Sequence, residues 1–97
     1  MPTSYIKKIL NAQIYDLVRE TPVQNMHFLS KSLQNHVLVK REDLQSVFSF
    51  KIRGAYARML QLTAEERKRG VIAASAGNHA QGVAMSASHL EIGRAHV

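Results

Sequence analysis

One lysine in this sequence lies between an aromatic ring and a glycine, at the start of a predicted helix. The stretch reads SFKIRGA over residues 49–55, with Lys51 as its third residue. Ser49 is a favourable N-cap, and apolar residues from position 52 onwards recur at helical spacing, which predicts one buried face. The positive end of the helix dipole favours a neutral amine, the form that attacks a carbonyl to give a Schiff base. The alternative is a solvated surface lysine, because a lone lysine motif has little specificity.

A second stretch joins a short buried strand to a helix through a glycine-containing loop. The strand is predicted over Val71–Ala74, the loop reads SAGNH over residues 75–79, and the helix runs to about Leu90. In open α/β sheets, ligands bind at the carboxyl ends of strands, where N–H groups of a loop and helix start can hold a carboxylate or phosphate. The alternative is an ordinary turn, with Gly77 at positive φ and Asn78 capping the helix.

Composition restricts the classes of protein that this chain can represent. Its 97 residues are 45% hydrophobic, which fits a small globular, soluble domain. We predict no membrane partner, since no apolar run reaches spanning length and no signal-peptide pattern opens the chain. The absence of cysteine excludes a disulfide scaffold and cysteine metal sites, and we predict no metal. The net charge of +6 suggests nucleic acid, but the basic residues are dispersed without interleaved aromatics, so we predict no nucleic-acid partner.

Helices and strands alternate along the predicted chain. An amphipathic helix begins at Thr3 or Ser4 and docks on the body of the domain, the backbone is extended at Thr21, and residues 26–33 are either strand or helix. The remaining predicted elements are a strand over residues 36–40, the lysine helix to about residue 60, and a short helix opened by a capping box at residues 63–66. This order implies a right-handed crossover and a parallel sheet. Two strands cannot form the covered core of such a sheet, so the chain is predicted to be part of a larger α/β domain.

Two neighbouring acidic residues, Glu42 and Asp43, follow the strand over residues 36–40. Paired acids can indicate a metal site or an acid/base pair, but side chains of chain neighbours point in different directions. We therefore predict a structural role, as partners of Arg41, of Arg53 or of nearby N–H groups.

Together, SFKIRGA and ASAGNHAQG (residues 74–82) resemble motifs of the fold-type II pyridoxal-phosphate enzymes, in the same order and separation. Within that group the sequence is most similar to the N-terminal part of the biosynthetic threonine dehydratases, or threonine ammonia-lyases. The resemblance runs from about Tyr5 to Leu90 and includes Thr21-Pro22 and the KRED run at residues 40–43. It implies a truncated α/β domain of the tryptophan synthase β type, with parallel strands and crossover helices. Residues 1–90 would be the N-terminal part of the catalytic domain.

The resemblance also implies a cofactor, a reaction and a set of site residues. Pyridoxal 5'-phosphate would be held by Lys51, with Phe50 near its ring and Asn78 at its ring hydroxyl. The substrate carboxylate would be received by the loop residues Ser75, Ala76, Gly77, Asn78 and His79. The parent enzyme would deaminate L-threonine to 2-oxobutanoate and ammonia in isoleucine biosynthesis, with L-serine as an alternative substrate. It would be a cytoplasmic homo-oligomer, and the isolated fragment would be inactive.

Two other functions stay open at this point. A serine dehydratase or racemase of the same cofactor class is one, and a non-catalytic basic interaction module is the other. Ala76 bears on the first, because the resembling racemases have a serine there whose hydroxyl exchanges a proton on the opposite ring face. Alanine cannot exchange a proton, so the sequence favours elimination over racemisation.

The last seven residues, EIGRAHV at positions 91–97, depart from the resemblance, which stops at Leu90. Residues 92–97 can be back-translated as ATC-GGA-AGA-GCA-CAC-GTC, the start of a common short-read sequencing adapter. We therefore predict that residues 91–97 are a non-native tail without function. They are expected to pack poorly or to extend the preceding helix.

Overall fold

Five α-helices and four short strands alternate along residues 2–97, the part of the chain that this computed structural model describes. The helices are α1 (Pro2–Asn11), α2 (His27–Leu33), α3 (Lys51–Leu60), α4 (Ala64–Arg69) and α5 (Asn78–His89). The strands are β1 (Val23–Asn25), β2 (Leu38–Lys40), β3 (Val71–Ile72) and β4 (Ala95–His96), and a single 3-10 turn spans Glu42–Leu44. None of these helices is long and apolar enough to cross a membrane.

The core lies between α3 and α5, the helices that begin within the two motifs. The predicted buried face of α3 is confirmed, since Ile52, Ala55, Tyr56 and Met59 are all buried. Ala55 and Met59 share a cluster with Val83 of α5, and a second cluster packs around Ile52 and Tyr56. The capping box of α4 is also confirmed: the Thr63 hydroxyl accepts from the Glu66 N–H, and the Glu66 carboxylate accepts from the Thr63 N–H.

The strands form two separate pairs. β1 and β2 pair antiparallel, with Val23 opposite Lys40, whereas β3 and β4 pair parallel, with Val71 opposite Ala95. The α/β class and a parallel pair are therefore confirmed, but the parallel partner of β3 is β4 rather than β2. The helix α2 connects β1 to β2, and β2 returns antiparallel to β1. The backbone N–H and C=O groups on one edge of β2 are therefore already paired with β1.

The expectation that residues 91–97 would extend α5 is wrong, and the expectation of poor packing is wrong for Ile92, whereas the other six residues are exposed. Glu91 has a φ of 57°, which ends the helix, and Ile92 is only 7% exposed within the cluster around Val83. The N–H groups of Val71 and Ala73 donate to carbonyls of this segment at 2.8 Å. The physical reason is that β3 offers unpaired backbone groups along its edge, while the α3–α5 interface offers an apolar surface to an isoleucine.

The amphipathic helix α1 forms as predicted, but it does not dock on the body of the protein. Its apolar side chains stay in solvent, with Ile6 55%, Ile9 72% and Leu10 77% exposed. An open cleft of about 1320 Å³ separates α1 from Ala57 and Leu60 of α3. The apolar face of α1 therefore does not pack against apolar side chains of the rest of the chain that the structure describes.

The molecule is extended for its length. Its radius of gyration is 16.4 Å and its axes measure 53 × 33 × 22 Å, whereas a compact domain of this size has a radius of gyration near ~13 Å. Large apolar side chains such as Phe28 and Ile72 are 92% and 85% exposed. These are surfaces of the kind that further elements of a larger domain cover.

Candidate functional site

Lys51 is the first residue of α3 and its side chain is exposed. The Lys51 Nζ lies 5.7 Å from the centroid of the Phe50 ring, which is itself 60% exposed. Phe50, not Ser49, directly precedes the helix, so the predicted cap is displaced by one residue. The Ser49 hydroxyl accepts the Lys51 N–H at 3.4 Å, a long contact that still orients the start of the helix.

The turn that leads into α3 has an unusual backbone. Phe48 has a φ of 62°, in the left-handed region that a bulky residue rarely adopts, at a cost of roughly 1–2 kcal/mol. Its N–H donates to the Gln45 carbonyl at 2.9 Å. Gln45 is 1% exposed, and its side-chain amide accepts the Arg19 N–H at 2.9 Å and donates to the Arg19 carbonyl at 2.7 Å. This clamp fixes one end of the turn, and Gln45 was not singled out from the sequence.

Glu42 connects this turn to the first helical turn of α3. Its carboxylate forms an ion pair with Arg53, accepts the Thr21 hydroxyl at 2.5 Å and accepts the Gln45 amide at 3.1 Å. The hydrogen bond from Arg53 is the main reason that the pKa of Glu42 is lowered to about 2. Asp43 pairs with Arg41 at 2.8 Å. The structural role predicted for both acids is confirmed.

The loop before α5 is organised by Ser75. The Ser75 hydroxyl accepts the N–H groups of Gly77 and Ala80, each at 3.2 Å. Asn78 is the first residue of the helix rather than its cap, and Gly77 has a φ of −133°, so the ordinary-turn alternative is wrong in both respects. The N–H groups of Asn78 and His79 belong to the first helical turn, where no intrahelical acceptor exists. They can therefore donate to a ligand oxygen.

The other loop residues differ in their surroundings. Ala76, Gly77 and Asn78 are exposed, whereas His79 is half-buried. His79 lines a cavity of about 280 Å³ between α3, β3 and α5, together with apolar residues such as Val71 and Val83. This environment fits a residue at the start of a helix better than an independent acid or base.

Gly82 brings the two motifs together. A methyl group built on Gly82 would lie 3.2 Å from the Lys51 carbonyl oxygen and 3.3 Å from the Ile52 nitrogen. Further along both helices, the rings of Tyr56 and His89 meet edge to face, 5.5 Å apart. The helices therefore run in the same direction, and Lys51 and the loop over residues 75–79 lie at the same end. Gly82 was missed as a functional residue, although a glycine inside a helical pattern is a known signal of close packing.

Four residues, or about 6 Å of helix, separate Asn78 from Gly82. The start of α5 thus lies one turn beyond the point where this helix contacts the lysine backbone. An exposed amine and a set of unpaired N–H groups at one end of a molecule can hold a carbonyl compound that also carries an anionic group.

A hydrogen-bonded cluster of one buried tyrosine and two exposed partners braces the opposite part of the helix pair. The Tyr56 hydroxyl donates to the Asp16 carboxylate at 2.7 Å, and His89 Nε2 lies 3.1 Å from the same oxygen. Burial, with help from the Asp16 hydrogen bond, raises the pKa of Tyr56 to about 12. The cluster joins the segment after α1 to both helices, and nothing in the sequence pattern indicated it.

Comparison with protein families and curated proteins gives a consistent result. The family model described as "Pyridoxal-phosphate dependent enzyme" matches residues 14–97, a range that includes the last seven residues. The chain is 58% identical over 86 residues to the L-threonine dehydratase biosynthetic IlvA of Pasteurella multocida, covering 89% of this chain. It is 54% identical over 88 residues to the protein of the same name from Escherichia coli, covering 91% of this chain. In each case the match spans only 17% of the relative's length.

Solved structures show the same similarity. The processed form of threonine deaminase isoform 2 from Solanum lycopersicum superposes with a TM-score of 0.90 at 47% identity, covering 96% of this chain and 25% of that one. Maize serine racemase superposes with a TM-score of 0.86 at 35% identity, covering 94% of this chain and 29% of that one.

Proposed function

The chain belongs to the family of pyridoxal-phosphate dependent enzymes, and we propose that it supplies the reactive lysine and the anion-binding loop of a lyase. The proposed reaction is the deamination of L-threonine to 2-oxobutanoate and ammonia, in isoleucine biosynthesis. The observation that carries the proposal is the contact of Gly82 with the Lys51 backbone, because it places both motifs at one end. The names of the dehydratase and deaminase relatives support the choice of substrate.

The residues at this end fit pyridoxal phosphate. Lys51 offers an exposed amine for the cofactor's aldehyde, Phe50 an exposed ring beside that amine, and Asn78 an exposed amide for the ring hydroxyl. A methyl group built on Gly77 would have no heavy atom within 4 Å, so the loop leaves room for a bulky ligand. When bound, the cofactor supplies an electron sink for the pair left on the substrate's α-carbon after proton removal.

The protein's own groups perform the remaining tasks. The Lys51 amine takes the α-proton, and the N–H groups of Asn78 and His79 hold the substrate carboxylate. Ser75 keeps the loop in place through its two accepted hydrogen bonds. The β-hydroxyl leaves with a proton as water, and a second water is taken up when ammonia is released. The net change is therefore threonine to 2-oxobutanoate plus ammonia.

The test uses a chimaera in which this chain replaces the 88-residue segment that it matches in the Escherichia coli relative. Lys51→Ala should abolish the visible absorbance of bound cofactor and the threonine turnover together, because one amine serves both purposes. The matched control is Lys68→Ala, an exposed lysine of α4, which should keep both. Borohydride reduction followed by mass mapping should place the cofactor on Lys51, and turnover without that lysine would refute the assignment.

A serine racemase is the second candidate, favoured by the TM-score of 0.86 to the maize enzyme. Ala76 opposes it, since the resemblance places a proton-exchanging serine at this position in racemases. Ala76 is exposed, so Ala76→Ser should be accommodated without steric conflict. We expect the chimaera to keep deaminating threonine after this substitution and to gain measurable racemisation of serine. If the unaltered chimaera already racemises serine as fast as it deaminates threonine, the argument from this position fails.

Four further properties remain predictions. A homo-oligomeric longer enzyme is tested by light scattering, a cytoplasmic location by cell fractionation, and inactivity of the isolated chain by a turnover assay. The non-native origin of residues 91–97 rests on the back-translation and on the end of the resemblance at Leu90, whereas the family model matches these residues too. Amplifying the locus from source DNA tests it: a natural gene that encodes these residues before a stop codon refutes the idea.

A further inference from the structure

We propose that Gly82 is a positioning residue that sets the spacing between the reactive lysine and the loop over residues 75–79. Its missing side chain allows α5 to touch the backbone of Lys51 itself. The inference rests on the proposed role of Lys51, and it adds a residue of α5 that acts through the backbone of that lysine.

The contact is made to backbone atoms, which cannot rotate away. A methyl group on Gly82 would lie 3.2 Å from the Lys51 carbonyl oxygen and 3.3 Å from both the Lys51 carbonyl carbon and the Ile52 nitrogen. Contacts this short require the neighbour to move by a few tenths of an ångström. Because that neighbour is the first turn of α3, the movement is transmitted directly to the reactive lysine.

The part of α5 around Gly82 is buried and packs against α3. The Ser86 hydroxyl donates to the Gly82 carbonyl at 2.7 Å, and Ser86 is completely buried. Val83 and Ala87 are held in a buried cluster with Met59. Whichever helix moves, the separation between Lys51 and the start of α5 increases. A misplacement of about 1 Å at a reacting group can lower the rate by up to about a hundredfold.

Gly54 supplies a matched control in the same helix pair. It lies on α3 three residues after Lys51, and a methyl group built there meets nothing within 4 Å. Replacing glycine by alanine in a helix interior stabilises the helix by about 1 kcal/mol, and this gain applies at both positions. Only Gly82 adds the steric effect, so comparing the two variants separates positioning from helix propensity.

The experiment compares the unaltered chimaera with its Gly82→Ala and Gly54→Ala variants. We expect Gly82→Ala to lower kcat by about tenfold, with KM for threonine changed by less than about threefold. The rate of borohydride trapping of pyridoxal phosphate on Lys51 should fall in parallel. Gly54→Ala should leave each quantity within about twofold of the unaltered protein. Crystal structures of the cofactor-free proteins supply a second readout, in which only Gly82→Ala lengthens the distance from residue 82 to the Lys51 carbonyl.

The possible outcomes are distinguishable. If Gly82→Ala matches Gly54→Ala in kcat and in distance, Gly82 sets no spacing and the inference is overturned. If the unaltered chimaera traps no cofactor on Lys51, the proposed function fails instead, while the distances in the crystal structures still decide whether Gly82 sets the spacing. Where Gly82→Ala lowers the melting temperature, rates are taken per folded molecule at low temperature, and a normal rate per folded molecule also overturns the inference.

Discussion

Glu42 binds side chains from three separate segments near the lysine. It lies between the segment at Thr21, the turn at Gln45 and the first turn of α3 at Arg53. Its side chain is only 14% exposed, so the ion pair with Arg53 is shielded from solvent. Arg53 follows Lys51 by two residues. The carboxylate of Glu42 therefore anchors the start of the helix that presents the lysine.

The lowered pKa of Glu42 gives stability a defined pH dependence. The folded-state pKa is about 2 against an ordinary value of 4.5. When folding lowers the pKa of a carboxylate, the charged form stabilises the folded state at pH values above the pKa of the unfolded state. This stability is lost as the pH falls from about 4.5 towards 2. The contribution is at most about 3 kcal/mol, and solvent screening reduces it.

Glu42→Gln should therefore destabilise the cofactor-free chimaera most above pH 5, because the uncharged amide cannot form the ion pair. The difference in melting temperature from the unaltered protein should shrink as the pH falls below 4.5. Asp43→Asn is the matched control, since Asp43 is more exposed and pairs only with Arg41. Its effect should be small throughout the pH range. An effect of Glu42→Gln that does not vary between pH 6 and pH 3 would contradict the assignment.

Residue-level prediction from the sequence succeeded where the signal is local. The buried face of α3 follows from spacing, an arginine partner for Glu42 was among the expected ones, and the structure shows both. The role of Lys51 stays a prediction. Gln45 and Gly82 were missed because their importance depends on contacts 26 and 31 residues away in sequence, with Arg19 and Lys51 respectively. A buried glutamine cannot be recognised from composition, since its partner is a backbone group elsewhere in the chain.

At the scale of elements, the start of α5 depends on Ser75, which lies three residues before the helix. The Ser75 hydroxyl accepts two N–H groups that would otherwise lack partners, those of Gly77 and Ala80. A capping side chain of this kind contributes about 1 kcal/mol. Because the same loop is proposed to hold the substrate carboxylate, Ser75 affects binding by ordering the donors and not only by direct contact.

Ser75→Ala should loosen the start of α5 without unfolding the protein. We expect amide hydrogen exchange to increase in peptides that cover residues 75–82, because the N–H groups of Gly77 and Ala80 lose their acceptor. The matched control is Ser88→Ala, an exposed serine near the end of the same helix. Equal exchange in both variants, measured by mass spectrometry, would show that the Ser75 hydroxyl does not order the loop.

Element types were predicted better than element partners. The capping box at Thr63 and Glu66 was correct because both of its hydrogen bonds are local. Pairing was less predictable: β1 has three residues and no strong pattern, yet it takes the edge of β2. The packing of Ile92 was also missed, because the edge of β3 and the apolar groove exist only in the folded chain.

On the scale of the whole molecule, the buried residues that the structure describes lie in the α3–α5 region, in the turn before α3, in the segment after α1 and at Ile92. Buried apolar residues come from these parts of the chain, whereas α1 and α2 show exposed apolar side chains such as Leu10 and Phe28. The radius of gyration of 16.4 Å expresses the same property. We expect additional structure to cover these surfaces, since the chain spans only 17% of the length of the Pasteurella multocida relative.

The isolated 97-residue chain should accordingly be marginally stable. Domains of this size ordinarily keep a net stability of about 5–15 kcal/mol, and here exposed strand edges and apolar faces add a risk of association. We expect a broad thermal transition by circular dichroism that depends on protein concentration. A cooperative two-state melt of a monomer, verified by sedimentation, would be inconsistent with this expectation.

The shared direction of α3 and α5 also affects how a ligand arrives. The positive ends of two helix dipoles lie at one end of the molecule and together amount to roughly one elementary charge. A negatively charged ligand is therefore attracted towards this end during diffusion, before it makes any contact. Salt screens such attraction over about 10 Å at 0.1 M. The rate constant for capture of an anionic ligand should then fall with ionic strength, while the rate constant for its release changes little.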